Sequence, residues 1–243
     1  MILHGYSRDR VSIVQTLSVN TSTNQYSLAV MRNETLLGEY ILPSGSSRFS
    51  NMMPSLQDLL VRVGLRPQDL DGLIVALGPG SFTGIRVGLS VAKGLAESLA
   101  IPIVGVPTLA AMASQLPYLM EDICPLVASR RGEVFTALFR WSPKRELVRL
   151  REDTCLQTKE IGSIIENRTV FIGNDLSSQG PVIEKYIRGK MLLAPPNLWN
   201  LRASSVSILG LKRLQSGESD ISGELIPIYL RGADIRAPKR KFT

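Results

Sequence analysis

The sequence predicts an α/β protein in which mixed sheets carry helices on their faces. Three observations lead to this. Three short apolar, β-branched segments separated by polar turns open the chain, a strand–glycine turn–helix–strand unit follows from Leu73 to Val106, and a second series of strands begins at Pro125. A strand meander followed by helical crossovers suits a mixed sheet covered by helices. The order occurs twice, as a duplicated architecture without a convincing sequence repeat.

Taken in order, Val11 to Val19 reads as the first strand, Asn20-Thr21-Ser22-Thr23-Asn24 as a polar turn, and Tyr26 to Met31 and Thr35 to Leu42 as the next two strands. Pro43 to Ser47 is a loop. Phe49 to Val63 reads as a helix, because Met52, Met53, Leu56, Leu59, Leu60 and Val63 form a wide apolar stripe at helical spacing. Pro54 belongs in its first turn, where a missing N–H costs little, and Gly64 ends it. Leu73 to Leu77 is the continuous apolar run expected of a strand buried on both faces. Gly78-Pro79-Gly80 breaks that run, and Ser81 or Thr83 can cap a helix from about Thr83 to Ala100. Ile101-Pro102 stops the helix, Pro102 to Val106 is a strand, and Thr108 to Ser114 is a short helix. Pro117 to Asp122 reads as a linker. Strands at Pro125 to Ser129, Glu133 to Trp141 and Leu147 to Glu152 follow, then a helix at Thr158 to Asn167 and a strand at Thr169 to Gly173. A last helix at Ser204 to Leu214 precedes an extended ending, Glu224 to Arg231.

Composition excludes several classes of function. The chain has 243 residues, 44% of them hydrophobic, enough for one large domain or two small ones with a sizeable core. No apolar run reaches the roughly 18 residues that a membrane span needs. The opening MILHGYSRDR lacks the apolar core of a secretory signal and reads as a loose extension of a cytoplasmic protein. Cys124 and Cys155 stand alone, which argues against a cysteine zinc site or a disulfide framework. His4 is the sole histidine, so a Ser–His–Asp or Cys–His mechanism has no imidazole to use. Net charge is +7, of which the tail from Arg231 to Thr243 contributes +4. The remainder is too weakly basic for a dedicated nucleic-acid binder.

The helix after the glycine turn has a polar stripe of Arg86, Ser90, Lys93 and Glu97 and an apolar one of Ile85, Leu89, Ala92, Ala96 and Leu99. Gly84, Gly88 and Gly94 lie between them. A glycine inside a helix costs roughly 0.5–1 kcal/mol against alanine, so close approach of another backbone is expected. Two readings stay open: a second helix or a partner's helix against Gly84, Val87, Gly88 and Val91, or close helix–sheet packing within one domain. The glycine turn opening onto a helix N-terminus can hold an anion, which makes Gly80, Ser81 and Thr83 candidate anion or nucleotide contacts. It is not a Walker loop, since no GK[ST] follows the glycines. The turns Asn20-Thr21-Ser22-Thr23 and Ala128-Ser129-Arg130-Arg131-Gly132 offer hydroxyls and arginines but no carboxylate for a hard cation.

At these residues a resemblance becomes specific. GPGSFTGIRVGLSVAKGLA from Gly78, followed by IPIVGVPTL from Ile101, closely resembles the TsaB (YeaZ) family, as do NTST at Asn20, RRGEVF at Arg130 and PIYLR at Pro227. The resemblance runs in order from about Val11 to Arg231. It implies two RNase H-like subdomains of the actin-like, Hsp70-like ATPase superfamily: an extension at 1–10, a first subdomain at 11–115 carrying the partner-binding helices, a second at 116–232 including the C-terminal helix, and a basic tail at 233–243. It implies a non-catalytic subunit in the synthesis of threonylcarbamoyladenosine beside the anticodon of tRNAs reading codons that begin with A. TsaD is the implied partner, in a heterodimer, with the small ATPase TsaE joining and tRNA reached through the complex; a homodimer through the same apolar surface stays open as the alternative without TsaD. The family's pairing through two helices of each subunit falls here on Met52, Met53, Leu56, Leu60, Arg86, Val87, Ser90 and Val91, with Gly84 and Gly88 at the close-approach face. No catalytic residue, metal ligand or cofactor is expected on this chain alone, ATP or ADP and metal being expected on TsaD. Many family members have Asp at the positions of Asn20 and Ala128, and His at that of Arg48; the first two departures remove carboxylates from the cleft. The rival functions are a free-standing homodimeric binding module and a nucleotide-dependent enzyme of the same superfamily.

Overall fold

A computed structural model describes residues 13–42, 49–130 and 132–231. The extension at 1–10 with His4, the loop with Arg48, Arg131 and the tail at 233–243 lie outside these residues. The first sheet contains β1 (Gln15–Asn20), β2 (Tyr26–Arg32), β3 (Thr35–Leu42), β4 (Gly72–Ala76) and β5 (Ile103–Val106) in the order β3-β2-β1-β4-β5. The second contains β6 (Asp122–Ala128), β7 (Glu133–Trp141), β8 (Leu147–Gln157), β9 (Thr169–Gly173) and β10 (Met191–Leu193) in the order β10-β9-β6-β7-β8. Read from the other edge, this is the same arrangement. In each half three antiparallel strands meander, and two further strands join the first of them in parallel. The duplication read in the sequence is therefore real at the level of topology, and both halves are RNase H-like.

Five helices complete the layers: α1 (Met52–Arg62), α2 (Phe82–Leu99), α3 (Thr108–Ala113), α4 (Leu176–Ile187) and α5 (Ala203–Gln215). Alternation along the strands directs them. Leu17, Val19, Leu73 and Val75 point to one face of the first sheet, where Met52, Leu56, Leu59 and Leu60 of α1 and Leu89, Ala92 and Ala96 of α2 cover them. Each large side chain buried this way stabilises the fold by about 2 kcal/mol. Ile74, Ala76 and Val104 point to the other face and share a core with α3, with Val206 of α5 and with Ile123 and Phe139 of the second sheet. Cys124, Leu126, Phe171 and Leu138 face outward from the second sheet beneath Leu176, Ile183 and Ile187 of α4. The order of layers is α1/α2, first sheet, α3/α5, second sheet, α4.

Several elements differ from the sequence reading. The first strand starts at Gln15, and β8 extends to Gln157. The expected helix at Thr158 to Asn167 is a 3-10 stretch, Thr158–Ile164. Helix α4 and the three-residue edge strand β10 are absent from that reading, because Gly180-Pro181 punctuates the sequence of α4 like a turn. The 224–231 segment is not a ladder strand; its Ile228 N donates to Leu77 O at 2.8 Å. Helix α5, assigned by the sequence to the second half, packs on the first sheet. Ser207 Oγ and Thr16 Oγ1 are 3.0 Å apart, and a Cβ at Gly210 would sit 2.4 Å from Ile74 Cγ2. The Glu39 carboxylate on β3 also caps this helix, accepting from Ser204 N at 2.9 Å and from Arg202 Nε at 2.7 Å.

Gly88 resolves the question of the helical glycines. A Cβ there would meet Thr21 Oγ1 at 2.1 Å, so α2 packs on the β1–β2 turn of its own chain. Gly94 faces open space. Gly88→Ala should lower stability by about 1–3 kcal/mol in urea unfolding of the isolated chain, even though alanine favours helix.

Beyond α5, the chain returns along β5, where Asp220 accepts from Gly105 N at 2.7 Å and from Arg213 Nη2 at 2.7 Å. Burial alone would raise the Asp220 carboxyl, but the Arg213 guanidinium and the Gly105 N–H outweigh it and hold it below the usual aspartate range. The charged form is the one the fold binds, so its stabilisation is present above the unfolded-state value and is lost as pH falls through the depressed one. Asp220→Asn should cost roughly 1 kcal/mol at neutral pH, discounted for the partial exposure of Arg213. In urea titrations the difference from wild type should close below about pH 4.

Candidate functional site

Two surfaces meet at the first turn of α2. One is the outer face of α1 and α2; the other is a cleft between the subdomains. On the outer face, the interface residues named from the resemblance divide by burial. Met52, Leu56, Leu60, Gly84 and Gly88 are buried beneath the helices and hold them to the sheet. Met52, Gly84 and Gly88 shape the face from beneath, whereas Leu56 and Leu60 also line the apolar cleft that opens on it. Val87 and Val91 are half-buried, and Met53, Arg86 and Ser90 are exposed. A second layer lies alongside. Met53, Pro54, Gln57, Val61, Leu65 and Leu95 rim a shallow apolar cleft of about 510 Å³ between the helices. Met53 is 47% and Val61 69% exposed there. The stripe of α1 thus serves twice, its inner residues as core and its outer ones as open apolar surface.

The cleft between the subdomains has a volume of about 510 Å³. Its walls are the β1–β2 turn (Ser22, Thr23, Asn24), the β4–α2 turn (Pro79, Gly80, Ser81, Phe82), the β6–β7 turn (Ala128, Ser129, Arg130), Asn174 and the returning segment from Ile228 to Arg231. Both turns singled out in the sequence line it, as do Gly80 and Ser81. Thr83 is exposed and does not. Ser81 is the helix cap: its Oγ accepts from Gly84 N at 3.2 Å. Its own N–H donates to Ser22 O at 2.8 Å. The turn fits only because residue 80 is glycine, since a Cβ there would lie 2.1 Å from Ser22 O.

Asn20 fixes the floor of this wall. It is fully buried. Its Oδ1 accepts from Ser22 N at 3.0 Å and Ser22 Oγ at 2.7 Å, and its Nδ2 donates to Leu201 O at 3.0 Å and Thr23 Oγ1 at 3.2 Å. A carboxylate could not donate to Leu201. Among the described residues no Asp or Glu lines the cleft, and no group of three His, Cys, Asp or Glu could hold a metal. The donor set is hydroxyls, amide and guanidinium, which suits an anion and not a hard cation. Cys124 is inert: burial pushes its thiol up to about 12, against a hydrogen bond with Thr136 that lowers it.

Sequence reasoning missed Asn174, whose Oδ1 is buried without a hydrogen-bond partner among the described residues, and the wall formed by Tyr229 and Arg231. Asn174 carries a signal in retrospect, because it follows the C-terminal end of a parallel strand, where ligands collect in open sheets. Tyr229 and Arg231 lie in the PIYLR motif, but their place in the wall comes from contacts across the length of the chain. Asn20→Asp should destabilise the fold by about 1–3 kcal/mol at neutral pH by setting a carboxylate against the Leu201 carbonyl; chemical denaturation measures it.

Comparisons with known proteins agree with this geometry. Residues 40–219 match the family model described as "TsaD: tRNA N6-adenosine threonylcarbamoyltransferase". The tRNA threonylcarbamoyladenosine biosynthesis protein TsaB of Bacillus subtilis is 31% identical over 224 residues, 91% of this chain and 96% of the relative. Its counterpart in Haemophilus influenzae is 28% identical, covering 88% of this chain and 92% of the relative. The solved structure of YeaZ from Pseudomonas aeruginosa superposes with a TM-score of 0.76 at 21% identity, covering 90% of this chain and all of that one. The topology and these matches over nearly the whole length place the chain in the TsaB family, to which it belongs.

Proposed function

We propose that this chain is a non-catalytic subunit of the machinery that makes threonylcarbamoyladenosine in tRNA, acting by binding and activating a TsaD-type transferase through the outer face of α1 and α2. The observation that carries this is the position of the helix pair: an outermost layer, unroofed by the rest of the described chain, with Met53 and Val61 exposed beside an apolar cleft. Contiguous exposed apolar surface of this kind marks an interaction site, and methionine suits a surface that adapts to a partner. That the chain also matches the transferase model itself supports the choice of partner, because two chains of one fold can offer equivalent helix pairs to each other. TsaE and tRNA join through the complex in this reading, and the setting is the cytoplasm. No helix among the described residues is long and apolar enough to cross a membrane.

The donor set of the cleft supports a non-catalytic role. Asn20 is committed to Leu201 and Ser22, and among the described residues no carboxylate lines the cleft to serve a nucleotide-bound cation. ATP or ADP and the metal are accordingly assigned to the transferase, with Gly80 and Ser81 left as anion contacts at most.

The test is light scattering on size-exclusion eluates of this chain alone and mixed with the TsaD-type protein of the same source. A heterodimer is expected on mixing, at the expense of any homodimer. Met53→Asp, at an exposed position, should weaken that complex about tenfold or more while leaving the thermal midpoint within about 2 °C of wild type. An unchanged complex in the variant would remove α1 from the interface, and no complex with wild type would overturn the reading.

A further inference from the structure

The returning segment runs along the flank of α2, from Ser222, whose Oγ donates to Glu97 at 3.0 Å, to Tyr229 at the first turn. There the Tyr229 ring lies 5.0 Å from that of Phe82, and the Arg86 guanidinium is 3.8 Å from the Phe82 ring centroid. Arg86 Nε donates to Tyr229 Oη at 2.8 Å. This uses one face of the guanidinium and its inner edge. The two Nη atoms make no hydrogen bond among the described residues, and Arg86 has no carboxylate partner there. Its neighbours are treated differently: Arg62 and Arg66 on the α1 side, and Arg213 and Arg231 on the side of the returning segment, are each paired to an acid. An exposed arginine held in one orientation by two aromatic rings and no anion has already lost its side-chain freedom. It presents the fork that matches a carboxylate with two parallel hydrogen bonds.

We propose that Tyr229 is a positioning residue for partner recognition: with Phe82 it holds Arg86 as a preformed receptor for a carboxylate of the subunit that docks on α2. This rests on the reading of α1 and α2 as the partner face. Arg86 and Ser90 lie on the same exposed side of the helix, so the receptor is continuous with that face, and a partner covering Met53 and Val87 would desolvate it. Preorganisation then converts into affinity, since the ordering cost falls before binding. The segment around Tyr229 also forms the cleft wall through Ile228, Tyr229 and Arg231, so the element that sets Arg86 is tethered to both subdomains, through Ile228 N to Leu77 O and through the Arg231–Glu133 ion pair.

The experiment is calorimetric titration of the TsaD-type transferase with the full chain as wild type, Tyr229→Phe, Arg86→Ala, Arg86→Lys and the Tyr229→Phe/Arg86→Ala double variant, at about 50 and about 300 mM salt. Tyr229→Phe keeps the ring on Phe82 and removes only the hydroxyl. It should weaken binding about three- to tenfold, and Arg86→Ala about tenfold or more. The double variant should be no weaker than Arg86→Ala, because the hydroxyl acts only through the guanidinium. Arg86→Lys should fail to restore wild-type affinity, having charge without the fork, and all differences should shrink at the higher salt. Wild-type affinity in Tyr229→Phe, additive losses in the double variant, or losses indifferent to salt would each overturn the proposal while leaving the partner reading standing. Absence of any wild-type complex would overturn the partner reading and this proposal with it.

Discussion

The architecture depends on a single buried amide. Asn20 ends β1 in the middle of the first sheet, and its four hydrogen bonds tie together segments that are otherwise independent. The Oδ1 side folds the β1–β2 turn back on itself through Ser22. The Nδ2 side reaches the Leu201 carbonyl, immediately before α5. Ser22 in turn receives Ser81 N, which sets the glycine turn and the start of α2, while Thr21 in the same turn supports α2 at Gly88. Inside a protein such a network is worth having only when every donor and acceptor is matched, and an amide is the side chain that can match two acceptors and two donors at once. The position that the family resemblance associates with an acid is therefore spent on holding the fold. The amide that donates to Leu201 O and accepts from Ser22 is a tie that a carboxylate there could not make in full.

From this tie follow the two surfaces. α3 and α5 fill the space between the sheets, and α1 and α2 are left outermost with their second layer of apolar side chains open to solvent. The first turn of α2 belongs to both regions: Gly80, Ser81 and Phe82 line the cleft, and a turn later Arg86 and Ser90 belong to the outer face. Whatever alters the cleft wall at Tyr229 thus acts within one helical turn of the outer face of α2, with no need for a longer path.

How much of this was legible in the sequence depends on the range of the interaction. β3, β7 and β9 are legible to the residue, because apolar alternation and β-branching are local signals. The Ser81 cap and the end of α2 before Pro102 are legible for the same reason. Helix α4 is hidden because Gly180-Pro181, a turn signal in isolation, is accommodated where packing under Ile183 and Ile187 outweighs local preference. The allegiance of α5 is hidden because its inner face is Ser207, Val206 and Gly210 against Thr16 and Ile74, a close contact of small residues that resembles neither an apolar stripe nor its complement. Of the two neighbours that the sequence leaves open for Gly88, another helix or the sheet side of its own domain, the one found within the chain is Thr21 of the β1–β2 turn. At the site, the turn residues are legible from their chemistry, whereas Asn174 and Tyr229 enter it only through tertiary placement.

The late return of the chain has a consequence for biosynthesis. The first sheet is translated early, yet the face formed by Thr16, Ile74 and Val104 is covered by α5, which emerges from the ribosome more than a hundred residues later, and Leu77 waits longer still for Ile228. Contacts spanning such separations are slow to form because the intervening loop must be closed first. The half made first is completed last, so the nascent chain carries an open sheet face through most of its synthesis, and the subdomain that bears α1 and α2 acquires its final form only when nearly the whole protein has been made.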